Sequence, residues 1–214
     1  MNAAMMKMAR LCSAALVACV TCVAGGCADF HSKQAAIQVY TLQPSFSAAA
    51  AGASAATAAT AATATLQVAR PLAAPGLDTD GIALQRDGQR LDYYAASRWA
   101  APLPEIVQSQ AIEALRASGK FRSVQPEGAA FAADLVLQLE IRRCQAEYVG
   151  ADGPPTVHVQ LLATLGRRAD RGVLATVSAA GTAPASENRM QSVVAAFQAA
   201  LGTALRELSA GLAP

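Results

Sequence analysis

The stretch that most constrains the fold is Asp134 to Ile141, DLVLQLEI. Leu135, Leu137, Leu139 and Ile141 fall on one side, and Gln138, Glu140 and Arg142 on the other. Successive side chains leave a strand in opposite directions, so this period of two predicts a strand with one buried face over 134–140. The pattern returns after the Gly150–Pro155 turn at Val157, Val159, Leu161, Ala163 and Leu165, and again from Val173 to Thr182 behind Gly172. A buried face needs a cover. Glu187 to Leu212 supplies one, because Val193, Phe197, Leu201, Ala204, Leu205 and Leu208 form a single helical stripe.

The upstream half repeats this logic. Ile37–Leu42 and Leu66–Pro71 read as strands, and Ile82–Gln85 with Leu91–Tyr94 reads as a hairpin turning at Asp87-Gly88. Leu103–Ser118 reads as a helix, with Pro102 and Pro104 at its start and Gly119 past its end. Phe121–Val124 begins a further strand. Strands, helix, strands, helix predicts an α+β domain of two layers: a mainly antiparallel sheet with two principal helices on one face. Ser47–Thr65 is almost entirely Ala, Thr, Ser and Gly. Having no large side chain to bury, it cannot offset its ordering entropy and is expected as a solvated insertion in one domain spanning 37–214.

The amino terminus carries an address. Lys7 and Arg10 precede Leu11–Val23, an apolar run shorter than the roughly 20 residues of a membrane span and suited to a secretory signal. The sequence Ala24-Gly25-Gly26-Cys27 resembles a bacterial lipobox. Residues 1–26 are therefore expected to leave as a lipoprotein signal, Cys27 to carry lipid, and 27–36 to serve as a tether to the membrane. Cys12, Cys19 and Cys22 depart with the signal, so Cys19-x-x-Cys22 is not a redox or metal pair, and Cys144 is left as the sole thiol. The chain has 17 basic and 15 acidic residues, and the excess is accounted for by Lys7 and Arg10. The remainder is neutral, which argues against a nucleic-acid footprint or a polybasic lipid patch. Arg142-Arg143 and Arg167-Arg168 read as solvated strand ends.

Chemistry is sparse. Of two histidines, His31 lies in the tether and His158 on the polar face of a strand. No G-x-S-x-G element and no metal-ligand spacing occurs. Asp78 and Asp80, between Gly76 and Gly81, would repel phosphate, and two carboxylates do not make a calcium loop. An envelope hydrolase would need a nucleophile beside a base, and no candidate pair is visible. Neither a cofactor nor an enzymatic activity is expected.

Tyr93, Tyr94 and Trp99 cluster in a chain with one Trp, four Tyr and five Phe. Alternation puts Tyr93 and Tyr94 on opposite sides of their strand, with Trp99 between that strand and the helix from Leu103. They serve either as a structural corner, one tyrosine and the tryptophan closing the sheet against the helix, or as a partner contact, where aromatic residues are enriched.

Tyr40-Thr41-Leu42, Leu66-x-Val68, Leu77-Asp78, Leu91-x-Tyr93-Tyr94, Arg98-Trp99-Ala100, Pro102-x-Pro104, Ser118-Gly119 and Ala133-Asp134-Leu135 follow one another in that order. The succession resembles the ABC-type transport auxiliary lipoproteins, the group that includes the paraquat-inducible outer-membrane lipoprotein. The likeness runs from the lipobox to the terminal helix, and the Ala/Thr insertion departs from it. It implies a non-enzymatic lipoprotein on the periplasmic face of the outer membrane. Such a protein would be an auxiliary docking component of a lipid-transport system with an ABC ATPase, a permease and a mammalian-cell-entry-type protein. Ala28 follows Cys27 where an inner-membrane lipoprotein usually has aspartate, so outer-membrane sorting is expected. The alternative is a periplasmic carrier of lipid, with Ala179, Ala180, Ala199 and Ala200 leaving a cavity between sheet and helices. Those alanines equally permit close helix–sheet contact. A homo-oligomer is left open.

Overall fold

The computed structural model describes residues 36–46, 63–86, 88, 90–150 and 153–212. The expected signal, Cys27 and nearly all of the tether lie outside these residues, as does 47–62 of the insertion. Nine strands and two helices occur among the described residues: β1 (Gln38–Tyr40), β2 (Thr65–Val68), β3 (Leu72–Ala73), β4 (Gly81–Arg86), β5 (Arg90–Trp99), α1 (Leu103–Ser118), β6 (Ser123–Pro126), β7 (Leu135–Tyr148), β8 (Thr156–Arg167), β9 (Val173–Pro184) and α2 (Met190–Gly211). They form an α+β domain.

β7 organises the sheet. One edge pairs with β8 along nearly its whole length, and β8 pairs with β9, both antiparallel. The other edge receives β2, β3 and β4 in turn, all parallel to it, against Leu135–Leu137, Glu140–Ile141 and Ala146–Tyr148. β6 extends the sheet beyond β2, and β5 followed by β1 extends it beyond β4. The longest ladders are antiparallel, yet five of the eight pairings among the described residues are parallel. The parallel character comes from ladders of two to four paired residues, and a strand's own alternation does not say in which direction its neighbour runs.

β7 differs from its expected form in an informative way. Its register shifts between Ile141 and Arg143, leaving Arg142 as an extra residue. Before the bulge, Leu135, Leu137, Leu139 and Ile141 are buried; after it, Cys144, Ala146 and Tyr148 are. One inserted residue exchanges odd for even positions on the core side, so the strand continues where alternation alone would end it. Arg142-Arg143 is accordingly not a strand end: Arg142 pairs with Glu140 and Arg143 with Glu147, within the strand. Arg167 does close β8.

α1 occupies the expected residues, and Gly119 beyond it adopts φ 65°, the left-handed conformation glycine tolerates. α2 presents Val193, Phe197, Leu201, Leu205 and Leu208 to the core. Burying each such side chain contributes about 1.5–3 kcal/mol. α2 lies against β8 and β9, and α1 against β6, with the helices touching. Beyond Tyr40 the chain leaves the sheet: Leu42 and Pro44 are buried, and Pro44 rests on Gly202 of α2. β2 begins at Thr65, which the sequence placed in the insertion. The Asp134 carboxylate accepts the Thr65 N–H at 2.8 Å and fixes that start.

Candidate docking surface

The hairpin of β4 and β5 carries the aromatic cluster. Ala83 pairs with Tyr93 but Gly81 with Arg98, so β5 holds extra residues around Ala96, whose φ is 51°. This irregular segment lets β5 reach Trp99, which is the last residue of the strand and not part of a connection to the helix.

The three aromatic side chains diverge. Tyr93 is 45% exposed. Its ring lies over Gly81, where a Cβ would stand 2.6 Å from the ring, and its hydroxyl donates to the Gly76 carbonyl at 2.7 Å. Tyr93 thus clamps the 76–81 loop, which also meets β5 and α1 through Trp99 N–H to Asp80 O and Leu103 N–H to Thr79 O. Tyr94 is half-buried, its hydroxyl 2.9 Å from that of Tyr148. Tyr148 gives its only proton to Asn188 Oδ1 at 2.9 Å, so Tyr94 is the donor in the first bond. Burial, reinforced by that bond, raises the Tyr94 pKa. The Arg86 guanidinium sits 4.8 Å from the Tyr148 ring centre, a cation–π distance. Trp99 is buried and meets Phe197 of α2 edge-on, centres 5.2 Å apart. Tyr93 therefore offers surface, whereas Trp99 joins β5 to the long terminal helix.

The 76–81 loop carries two carboxylates. Asp78 and Asp80 do not converge on a cation site. Asp78 pairs with Arg70 at 2.8 Å, which holds its carboxyl below the usual range, and Asp80 faces Arg98 at 3.7 Å. No group of three metal-ligating side chains occurs among the described residues.

The register assembles one set that the sequence did not reveal. His158 stands opposite Gln145 and Thr182, its Nδ1 3.3 Å from Thr182 Oγ1 and its Nε2 3.7 Å from Glu147 Oε2. Hydroxyl, imidazole and carboxylate in a row resemble a nucleophile relay, but the separations exceed the about 2.6–3.2 Å of proton transfer. The Glu147 carboxylate is also shared with Arg143 and Gln145. These are features of a hydrogen-bonded strand face. Alternation could place His158 on that face but could not supply its cross-strand neighbours.

The helix–sheet interface bears on a carrier. A Cβ on Gly181 of β9 would lie 1.9 Å from the Ala200 carbonyl oxygen of α2, so strand and helix touch backbone to backbone. Ala179 and Ala200 are fully buried there, while Ala180 and Ala199 are exposed. Here the small residues bring the layers together rather than holding a lumen open.

With this fold in view, the comparisons are consistent. A Xanthomonas campestris protein of the DUF330 family superposes with a TM-score of 0.68 at 25% identity, covering 80% of this chain and 92% of its own. A second solved structure, of an uncharacterized protein, gives 0.57 at 14% identity, covering 82% and 95%, and shares the fold alone. No curated protein matches the sequence. The family model described as "ABC-type transport auxiliary lipoprotein component" matches residues 40–209, and the chain belongs to that family.

Proposed function

We propose that this lipoprotein is a non-enzymatic docking component of an ABC-type lipid-transport system, anchored to the periplasmic face of the outer membrane. The observation that carries the reading is the family match over 40–209, which spans every strand except part of β1 and nearly all of α2. Residues 1–26 act as the signal, Cys27 takes the lipid, and 27–36 tether the 37–214 domain with its Ala/Thr insertion at 47–65. Ala28 supports export to the outer membrane. The partner is a mammalian-cell-entry-type periplasmic protein with its permease and ATPase, and Tyr93 lies on the exposed side of the aromatic hairpin as a contact. The backbone contact of Gly181 with α2 weighs against the alternative, a carrier with a lipid-filled core.

Crosslinking in intact cells tests this, followed by capture of the tagged lipoprotein and mass spectrometry of proteins and lipids. Recovery of the transporter subunits from wild type, with release of Cys27→Ala from the membrane fraction, is the expected result. Lipid recovered without those subunits would favour the carrier. Capture of neither would overturn the transport assignment.

A further inference from the structure

The β8–β9 hairpin closes on itself and leaves cations over. Asp170 accepts the Gly172 N–H at 2.9 Å and the Arg167 guanidinium at 2.7 Å, and Arg167 N–H donates to Gly172 O at 2.8 Å. These bonds, the Gly172 one first, hold the Asp170 carboxyl below its usual range. Asp170 is thus engaged within the turn and neutralises Arg167. Arg168 reaches a neutral partner, the side-chain oxygen of Gln67. Arg171 adopts φ 58°, and among the described residues no carboxylate lies within ion-pair distance of Arg168 or Arg171.

Beside the turn, the open sheet face has a hollow of about 420 Å³ lined by Val136, Gln138, Thr164 and Gly166 together with Arg167, Arg168 and Arg171. Gly166 keeps the floor low: a Cβ there would reach only backbone oxygens at 3.5 and 4.0 Å. Two uncompensated guanidiniums over a hydroxyl and an amide match an oxyanion, above all a phosphate.

The apolar surroundings select the source of that oxyanion. Val173 is 66% exposed and Leu174 40%, two and three residues after Arg171. The register shift at Gly166 leaves Leu174 without a partner on β8. A soluble anion needs only the arginines. Large apolar groups left in water beside unpaired cations fit a membrane interface, with charge at the phosphate level and hydrocarbon below it.

We propose that this end of the sheet binds the phosphate-bearing headgroup of an anionic phospholipid at a membrane surface. The proposal rests on the lipid-transport reading and names the lipid chemistry the domain meets.

The test uses the full lipoprotein purified in neutral detergent and titrated calorimetrically with dihexanoyl-phosphatidylglycerol, dihexanoyl-phosphatidylcholine and inorganic phosphate. Phosphatidylglycerol should bind about tenfold more tightly than phosphatidylcholine. Arg168→Gln with Arg171→Gln should abolish that preference at an unchanged unfolding temperature. Val173→Ser with Leu174→Ser should weaken phosphatidylglycerol binding and leave phosphate binding alone. Equal binding of the two lipids, a preference that survives the arginine pair, or inorganic phosphate binding as tightly as phosphatidylglycerol would each overturn the proposal. Transporter capture is read separately, so failure here leaves the docking assignment standing.

Discussion

Lys120 shows how much one side chain can hold from a distance. Its ammonium donates to the carbonyls of Ser209, Ala210 and Leu212, each at 2.8 Å. α2 has no basic residue in its last turn and ends at Leu212 in extended conformation, with no glycine cap. Lys120 therefore supplies from outside both the donors that orphan carbonyls need and the positive charge that the negative end of the helix dipole favours. Replacing three such bonds in a partly solvated site should cost about 1–2 kcal/mol. Lys120→Met is expected to lower the urea midpoint with an unchanged slope, the shift multiplied by the slope giving that loss, and an unaltered midpoint would show that water serves these carbonyls as well. The apolar stripe of α2 was legible because it is periodic. Its cap was not, because a lysine that caps a helix some ninety residues away looks like any other surface lysine.

Elements were legible where their period was long enough to register. β7, β8, β9 and both helices followed from alternation or from a 3.6-residue stripe, and β2 lies within the strand read over Leu66–Pro71, whereas the two residues of β3 are too few to show either period. The bulge at Arg142 escaped because a single inserted residue has no pattern of its own and is known only from the partner strand. Gly181 is similar: in sequence it is a glycine inside a strand, and only the packed helix shows why. A side chain there must displace the Ala200 carbonyl from 1.9 Å, which requires α2 to move off the sheet. Overpacking of this kind costs about 1–3 kcal/mol where side chains can yield, and backbone yields less readily, so Gly181→Ala should lose about 3 kcal/mol or more. Thermal unfolding reads this directly. A variant as stable as wild type would mean that the layers separate easily and would reopen the carrier reading.

At the scale of the molecule, neighbours in sequence and neighbours in space part company. Tyr93, Tyr94 and Trp99 cluster along the chain but point to a loop, to Tyr148 and to Phe197. The arginine-rimmed hollow gathers residues from β7, β8 and the hairpin beyond, and only Arg167-Arg168 was conspicuous in the sequence. Composition described the whole surface as neutral and could not show charge segregated within it. β7 ties these regions together, since nearly every other strand joins it directly or through one neighbour. Opening β7 should therefore mean unfolding the domain, and Cys144 in its upper half reports on that event. The thiol is 2% exposed, and burial pushes its pKa up to about 12 from 9.0. The native thiol is thus both covered and protonated at pH 8, and alkylation requires an opening that exposes it. The same shift gives the sign with pH: the contribution to stability is full below pH 9.0, where both states are protonated, and is lost as pH rises toward 12, where the unfolded thiol ionises first. Iodoacetamide labelling of the Cys144 peptide, followed by mass spectrometry at pH 8, should accelerate with urea as steeply as global unfolding does. A shallower dependence would mean that the bulge at Arg142 divides β7 into parts that open separately, and that the sheet does not behave as one cooperative unit.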